Sequence, residues 1–360
     1  MKAQSLKLYN FRNYKTEKIN FGENVNIICG DNGMGKTNIL EAVYYFSYGR
    51  SFRSNGSEII REGEKESRIE LLFSSGKREF EGAVKFYGGK KKKEIFLNDI
   101  ELKRTSQLLG NFICVLFTPD EMNIVKGIPE NRRKFCDSGI MVLRPGYVKE
   151  LIKYRQIAAQ KTALLKARRY ETLPVWNEKM AQSGAFIMKM RESYIKRVEE
   201  KAAVLQKEIS NSRENLSIVY HPSVKIGETK EETFKNFIEK SEISSEKEKE
   251  NMMCLFGTHR DEIDIYINGK SAKSYASQGQ IRTAVFCLKL AQMEIIKEET
   301  ESYPVLLLDD ILSELDKQRR DFLISRIKGK QIIITCTDIE KSFMSENANI
   351  IKIKDGQAVV

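Results

Sequence analysis

The sequence of 360 residues lacks several features that mark large classes of protein. No apolar run approaches the roughly 18 residues that a membrane-spanning helix needs. The amino-terminal stretch also lacks the apolar core of a signal peptide, so we expect a cytoplasmic protein with no membrane segment. The six cysteines are scattered without a C-x-x-C pair, and there are only two histidines. This scarcity argues against a disulfide framework, a zinc site and a histidine-rich metal centre, and it predicts reduced thiols.

Acidic residues are too few to balance the basic ones: 61 Lys and Arg stand against 50 Asp and Glu, which gives a net charge of +11. Part of the excess is concentrated between residues 120 and 215, which hold 20 basic and 12 acidic side chains. A basic balance suits an anionic polymer such as nucleic acid, although it also fits an ordinary solvated surface. At this length the chain can bury a full core and form two lobes.

Residues 30–37, GDNGMGKT, fit the phosphate-binding loop pattern G-x-x-x-x-G-K-[ST]. A β-prone segment at 25–29 precedes the loop and apolar residues at helical spacing follow it, which is the strand–loop–helix context that the motif needs. The glycines let backbone N–H groups turn inward around phosphate oxygens, and the helix adds its positive amino-terminal end. We expect Lys36 to reach the β- and γ-phosphates and Thr37 to bind Mg²⁺ through its hydroxyl. The predicted nucleotide-binding residues of this stretch are Gly30, Asp31, Asn32, Gly33, Met34, Gly35, Lys36, Thr37 and Asn38.

Two further stretches in the first third of the chain carry candidate contacts. Residues 10–14, NFRNY, form the predicted turn of a strand pair. Arg12 and Asn13 in this turn either flank the adenine or the phosphates, or belong to a plain surface turn. Strand patterns with glycine-containing turns between residues 68 and 97 predict a meander of hairpins. One hairpin tip carries lysines that either grip a phosphate backbone or are simply solvated, namely Lys90, Lys91 and Lys92.

Two long helical patterns fill the basic region and predict a helical second lobe. Apolar residues within 147–165 share one helical face, and apolar residues within 176–205 share another. The short connection at 171–173 predicts that the two helices are antiparallel. Their opposite, basic faces are either DNA-facing or merely solvated. Arg132 and Arg133 belong to the densest basic cluster nearby and are candidate DNA contacts.

A second set of motifs lies in the last third of the chain. Residues 277–280, SQGQ, precede an apolar helical segment at 284–296, and an apolar strand pattern ends in Asp309 and Asp310. A buried strand that ends in a carboxylate is the Walker B arrangement, in which Asp309 binds Mg²⁺ and Asp310 orients the attacking water. Each motif alone is also consistent with a helix cap or an acidic turn. Their order and spacing after the loop favour an ATPase with Lys36, Asp309 and Asp310 as catalytic residues.

The order of phosphate-binding loop, long insertion, S-x-G-Q signature and Walker B strand resembles that of ABC-type ATPase heads, and its details resemble the RecF family of DNA-repair ATPases. The match runs over nearly the whole chain and is weakest at residues 227–251. The resemblance implies an α/β fold: an ABC-type ATPase head, with a P-loop NTPase sheet and a β-meander, plus a helical second lobe. The head would comprise residues 1–119 and 256–360, with residues 120–255 inserted as the helical lobe. The stretches that carry the resemblance are residues 10–14, 30–42, 125–127 with 132–133, 259–261, 277–280 and 308–316.

The same resemblance implies an ATP-dependent homodimer with ATP and Mg²⁺ as cofactors. In ABC-type heads the signature of one chain caps the ATP that is held by the loop of the other chain. RecF proteins bind double-stranded DNA and single-strand/double-strand junctions, and they act with RecR and RecO to load RecA during DNA repair, replication, recombination and the SOS response. The resemblance assigns Ser277, Gln278, Gly279 and Gln280 to the signature, Ser313, Glu314 and Asp316 to the D-loop, and Thr37 with Asp309 to the metal.

Three positions depart from the wider ABC pattern. The residue after the Walker B aspartate is Asp310 rather than glutamate, as RecF-like proteins show, and no histidine lies within residues 335–340. A shorter base and a missing switch histidine predict slow hydrolysis. The usual glutamine is absent around residues 118–122, which leaves Asp120 and Glu121 as alternatives for its role.

Other machines share some of these motifs. The ATPase subunit of a membrane transporter, or of another ABC-type machine, is disfavoured by the basic helical insertion and by the length of chain before the signature. A DNA-tethering SMC protein with long arms is excluded, because the helical stretch of the insertion, residues 120–215, is far too short for such arms and has no sustained heptads. A nucleotide-dependent DNA scaffold that binds ATP without hydrolysing it stays open, and Asp310 is the residue that bears on it.

Overall fold

The computed structural model of the chain describes residues 1–53, 57–89, 93–311, 317–337, 348–354 and 356–359. These residues form two compact units, Met1–Glu121 with Gln292–Val360, and Met122–Ala291. Both units combine helices with strands, which confirms the predicted α/β fold class.

The elements are numbered in chain order. The strands are β1 (Lys2–Phe11), β2 (Tyr14–Asn20), β3 (Val25–Cys29), β4 (Glu66–Ser75), β5 (Arg78–Tyr87), β6 (Lys93–Leu97), β7 (Ile100–Glu101), β8 (Cys114–Phe117), β9 (Leu216–His221), β10 (Glu262–Ile267), β11 (Lys270–Ser271), β12 (Val305–Asp309), β13 (Ile332–Cys336), β14 (Asn349–Lys354) and β15 (Gln357–Val359). The helices are α1 (Lys36–Tyr48), α2 (Asn123–Lys126), α3 (Pro129–Leu143), α4 (Pro145–Lys166), α5 (Leu173–Ile209), α6 (Lys230–Asn251), α7 (Ala272–Tyr275), α8 (Gln278–Thr300) and α9 (Lys317–Ile327). Short 3₁₀ helices cover Ser57–Ile59, Thr105–Gln107 and Pro119–Met122.

One sheet of the first unit is antiparallel, with the strand order β2-β1-β4-β5-β6-β7. Its β4 to β7 part is the predicted meander of hairpins. The first two strands extend it, because β1 pairs with β2 on one side and with β4 on the other. The turn between β1 and β2 contains Arg12 and Asn13, so this sheet carries both of those candidate residues.

The other sheet of the first unit has the order β15-β14-β3-β13-β12-β8, and all its neighbouring pairs are parallel except β14 with β15. Its central strands, VLLLD in β12 and IIITC in β13, are almost entirely buried, as expected for parallel strands covered on both faces. Strand β13 separates β3 from β12. Because the carboxyl ends of parallel strands share one edge of a sheet, the loop after β3 and the acidic end of β12 meet there.

The second unit consists of helices and a small sheet in the order β11-β10-β9. Its two longest predicted helices exist as α4 and α5, which pack against each other. Tyr147 and Tyr154 on the predicted apolar face of α4, and Met180 on that of α5, are fully buried. The segment 227–251, where the family resemblance is weakest, contains α6. The Oγ1 of Thr229 caps this helix by accepting a hydrogen bond from the backbone N–H of Glu232 at 3.1 Å.

The structure assigns residues 256–291 to a different unit from the one predicted, which was the ATPase head. In the structure they are part of the second unit. The physical reason is strand pairing across a long sequence separation, since β10 lies antiparallel to β9 along its whole length. None of the helices within the described ranges combines the length and the apolarity that crossing a membrane requires.

Candidate active site

The loop between β3 and α1 closely approaches a neighbouring turn at Gly35. This residue has a φ of +99°, and a Cβ atom there would lie 2.5 Å from the side chain of Asn13. The backbone conformation therefore favours glycine, and a larger residue would also have to displace the Asn13 side chain. The α-helix α1 begins at the next residue, Lys36, and directs its positive amino-terminal end to the loop.

Lys36 lies within the loop rather than in solvent. Its side-chain Nζ donates hydrogen bonds to the backbone oxygen of Gly30 at 2.6 Å and to that of Asp31 at 2.9 Å, and the residue is only 8% exposed. The ammonium group is thus held in place by backbone oxygens of the residues just before it in the same loop. This arrangement places a positive charge within the phosphate-binding loop.

The phosphate-binding loop and the Walker B strand meet at Asp309. The hydroxyl of Thr37 donates a hydrogen bond to Asp309 Oδ1 at 2.9 Å, across a sequence separation of 272 residues. The hydroxyl of Thr335, at the carboxyl end of β13, donates to the same oxygen at 2.7 Å. The next residue, Asp310, has a φ of +50° and donates its backbone N–H to Thr335 Oγ1 at 3.1 Å. The structure therefore brings both predicted acidic residues to the loop.

The turn between β1 and β2 holds the loop from outside. Asn13 Nδ2 donates to the backbone oxygen of Met34 at 3.0 Å, and Asn13 Oδ1 accepts from Asn38 Nδ2 at 2.8 Å. The hydroxyl of Tyr14 donates to the backbone oxygen of Gly35 at 3.1 Å. Burial raises the pKa of Tyr14 well above its ordinary value, so this hydroxyl stays a donor. The sequence left open whether this turn flanks the nucleotide or is a plain surface turn; in the structure it is in direct contact with the phosphate-binding loop.

Arg12 lines the same cleft, but its guanidinium is bound to a carboxylate of the protein. Nε and Nη2 donate to the two carboxylate oxygens of Glu41 at 3.0 and 2.6 Å, and Nη1 donates to the backbone oxygen of Glu58 at 2.8 Å. Glu41 is fully buried and also accepts a hydrogen bond from the hydroxyl of Ser51. A bidentate ion pair of this kind fixes the guanidinium in one geometry.

These elements surround a cleft of about 980 Å³ within the first unit, a volume in the range of sites for small ligands. Arg53, Arg61 and Thr335 line it but were not singled out as site residues by the sequence. The signal available for Thr335 was a polar residue at the end of an apolar strand, next to the Walker B strand only after folding. Neither Asp120 nor Glu121 is among the described residues that line the cleft. Those residues are Arg12, Asn13, Asn32, Gly33, Gly35, Lys36, Thr37, Asn38, Arg53, Glu58, Ile60, Arg61, Glu62, Asp309, Asp310 and Thr335.

The signature residues belong to the second unit, at the start of α8. Ser277 Oγ accepts a hydrogen bond from the backbone N–H of Gln280 at 3.2 Å, and the backbone N–H of Ser277 donates to Gln280 Oε1 at 2.9 Å. This reciprocal pair is a capping box, as the predicted cap requires. Ser277 and Gln278 are exposed. The D-loop residues Ser313, Glu314 and Asp316 lie outside the described residues.

The predicted DNA contacts have different outcomes. Lys90, Lys91 and Lys92 lie outside the described residues. Arg132 is only 4% exposed, and its guanidinium binds Glu262 through two hydrogen bonds of 2.9 Å. Arg133 donates to the backbone oxygen of Asp261 at 2.7 Å. Arg132 is therefore held in a buried ion pair whose acidic partner is supplied by β10, whereas the contact of Arg133 is with a backbone oxygen.

Known proteins resemble this chain over nearly its whole length. Residues 2–359 match the family model of the RecF/RecN/SMC N-terminal domain. The DNA replication and repair protein RecF of Acetivibrio thermocellus is 40% identical over 95% of this chain and 94% of its own length, and that of Clostridium acetobutylicum is 38% identical over 99% of both chains.

Solved structures extend the likeness to three dimensions. The recombination mediator protein RecF-ATPrS of the RecFOR pathway has a TM-score of 0.92 at 35% identity, with 99% of this chain and 97% of that chain covered. An Smc head bound to the C-winged helix domain of ScpA has a TM-score of 0.58 at 16% identity, covering 99% and 96% of the two chains, and so shares the fold alone. The chain therefore belongs to the RecF family of SMC-like, ABC-type ATPases.

Proposed function

We propose that this protein is a DNA-repair and replication ATPase that binds double-stranded and gapped DNA as an ATP-dependent dimer, hydrolyses ATP slowly and helps to load recombinase at single-strand gaps. The observation that carries the proposal is the contact of Thr37 with Asp309, which joins the phosphate-binding loop to the acidic end of β12. Family membership supports the repair role, because the matched RecF relatives are DNA replication and repair proteins.

The side chains at this contact fit Mg²⁺. The hydroxyl oxygen of Thr37 and the carboxylate of Asp309 are hard oxygen donors, which Mg²⁺ prefers, and they lie 2.9 Å apart beside the loop. We infer that these two residues hold the ion. When bound, Mg²⁺ neutralises charge on the β- and γ-phosphate oxygens.

The remaining roles follow from the positions of the side chains. The N–H groups of the loop and the amino-terminal end of α1 bind the phosphates, and Lys36 adds a full positive charge. Asp310 adjoins Asp309 at the cleft and is proposed to accept a hydrogen bond from the attacking water and so orient it. Its side chain is one carbon shorter than the glutamate of other ABC-type ATPases, which supports slow turnover.

We propose that the complete site forms between two copies of the chain. The exposed, capped start of α8 presents Ser277 and the N–H groups of the signature, a combination that suits an anion. Within this proposal the signature of one protomer meets the γ-phosphate bound by its partner. RecR, together with RecO, is the proposed protein partner, by family membership alone.

A non-hydrolysing, ATP-dependent DNA scaffold is the alternative, and the shortened base at Asp310 favours it. Phosphate release with and without double-stranded DNA distinguishes the two functions. We expect slow release by the parent protein, weaker nucleotide binding in Lys36→Ala, and retained ATP binding with slower release in Asp310→Asn. If the parent binds ATP but releases no more phosphate than Lys36→Ala, the scaffold is favoured. Unchanged turnover in Asp310→Asn would place the water-orienting group elsewhere.

DNA binding should depend on both salt and nucleotide. Each Lys or Arg that binds a phosphate releases a counterion, so the logarithm of affinity should fall by about 0.9 per contact for each unit of log salt. Joining two protomers over ATP would present two basic surfaces to one duplex and strengthen binding by avidity. Titration of labelled duplex at several salt concentrations, with and without ATP, measures both effects. An affinity indifferent to salt and to ATP would contradict the DNA-binding dimer.

A further inference from the structure

Thr335 lies beside the Walker B residues in the sheet, and its hydroxyl contacts both Asp309 and Asp310. It lies at the carboxyl end of β13, the strand between β3 and β12, and the parallel register places it beside Asp309. The residue is only 1% exposed, although it borders the nucleotide cleft. Neither the phosphate-binding loop nor the Walker B pattern includes it.

The contacts of this hydroxyl use it both as a donor and as an acceptor. Thr335 Oγ1 donates to Asp309 Oδ1 at 2.7 Å, the same oxygen that accepts from Thr37 at 2.9 Å. It also accepts from the backbone N–H of Asp310 at 3.1 Å. Two hydroxyl donors on one carboxylate oxygen leave that side chain little rotational freedom.

The backbone of Asp310 needs such support. Its φ of +50° lies in the left-handed region, which residues other than glycine adopt only when their surroundings determine it. The N–H of Asp310 points to the carboxyl end of β13, where the hydroxyl and the backbone oxygen of Thr335 accept it at 3.1 and 3.3 Å. The direction in which the Asp310 side chain leaves the strand is therefore set in part by Thr335.

We propose that Thr335 is a positioning residue of the ATPase site: its hydroxyl orients Asp309 toward the metal and fixes the backbone that presents Asp310 to the attacking water. The inference rests on the proposed ATPase function and adds a residue to it. Groups that orient metal ligands through hydrogen bonds typically change metal affinity or activity by tenfold or more when removed.

Thr335→Val keeps the shape of the side chain and removes the hydroxyl, whereas Thr335→Ser keeps the hydroxyl. Thr337→Val is the matched control, because Thr337 is exposed and follows the last residue of β13. Binding of a fluorescent ATP analogue is measured without metal and across an Mg²⁺ titration, together with thermal unfolding and ATP turnover. We expect Thr335→Val to bind metal-free nucleotide like the parent, but to need roughly tenfold more Mg²⁺ for half-saturation and to lose roughly tenfold in kcat with KM little changed. Thr335→Ser and Thr337→Val should resemble the parent.

The pair Thr335→Ala and Thr335→Ser serves if the valine variant does not fold, because these two differ only in the hydroxyl. An Mg²⁺ requirement that is the same with and without the hydroxyl would overturn the positioning role, even if Lys36→Ala weakens nucleotide binding and so supports the ATP site. If the parent releases no phosphate, the hydrolysis proposal fails, while the Mg²⁺ titration still decides the role of Thr335.

Discussion

At the scale of single residues, His259 is a titratable group held in its neutral form. Burial, followed by the charge of Arg260, lowers the pKa of His259 to about 4. Its Nδ1 lies 3.0 Å from the hydroxyl of Tyr154, which burial keeps protonated by raising its pKa. The charges of Arg133 and Lys161 act in the same direction. An imidazole in these surroundings resists protonation, whereas the same residue in the unfolded chain titrates near pH 6.5.

Stability should consequently fall as the pH is lowered through this window. Above the unfolded pKa both states are neutral at His259, but between about pH 6.5 and 4 the unfolded state binds the additional proton. Between pH 7.5 and 5.5 we expect a loss of about 1 kcal/mol from this residue, measured as the free energy of unfolding in urea. His259→Gln should remove that part of the pH dependence. The control is His221→Gln, since His221 is half-exposed; an equal effect of the two changes would contradict the assignment.

The charged residues show which roles could be predicted from the sequence and which could not. The residue types of the loop predicted a nucleotide site, because the motif is continuous in sequence and Lys36 contacts backbone atoms of the same loop. The roles of the Arg12 and Arg132 side chains depend instead on partners elsewhere in the chain. These partners are Glu41 and Glu262. Since a buried arginine is stable only with such a partner, identical basic side chains can be ligand contacts or internal ion pairs. Only the folded structure tells which.

At the scale of elements, the β1–β2 turn supports the phosphate-binding loop. Asn13 links the backbone of Met34 to the side chain of Asn38, and so spans the loop and the first turn of α1. Tyr14 adds a hydrogen bond to the backbone oxygen of Gly35. A glycine-containing loop has much conformational freedom, so contacts that select one conformation should improve phosphate binding by preorganisation.

Asn13→Ala should weaken nucleotide binding without abolishing it. It removes a loop contact worth about 1 kcal/mol, which corresponds to roughly fivefold in affinity. The measurement is equilibrium binding of a fluorescent ATP analogue. Asn98→Ala is the matched control: Asn98 Oδ1 accepts a hydrogen bond from the backbone N–H of Glu81 at 2.9 Å, on a different turn of the same unit. If both alanine variants bind nucleotide like the parent, the turn does not organise the loop.

The elements themselves were largely predictable, but their neighbours were not. Apolar runs ending in polar residues identified β3 and β12, and helical spacing identified α1, α4 and α5. Nothing local indicates that β13 lies between β3 and β12, because strand order is decided by packing of the whole sheet. The role of Thr335 depends on that order and on the register that pairs it with Asp309. The same limit applies to β9 and β10, whose pairing assigns residues 256–291 to the second unit.

At the scale of the whole molecule, the motifs assigned to the proposed ATPase site come from both units. The phosphate-binding loop and Asp309 belong to the first unit, whereas the signature belongs to the second. The capping box at Ser277 occupies the N–H of Gln280 and stabilises the start of α8, where Ser277 and Gln278 are exposed. A helix start of this kind binds anions, and the proposed dimer supplies one as the γ-phosphate bound by the partner.

Ser277→Arg tests whether the signature works between two copies of the chain. In the proposed sandwich an arginine would place bulk and charge against the partner's loop, so ATP-induced dimerisation and most hydrolysis should be lost while ATP binding by the single chain stays near normal. The measurement is sedimentation with a slowly hydrolysed ATP analogue, beside equilibrium binding of the nucleotide. Thr229→Arg is the matched control, because it introduces the same charge and also removes a helix cap of the second unit, at α6. If Ser277→Arg dimerises like Thr229→Arg and the parent, Ser277 acts only as a helix cap, since loss of a cap costs both variants about 1 kcal/mol of stability.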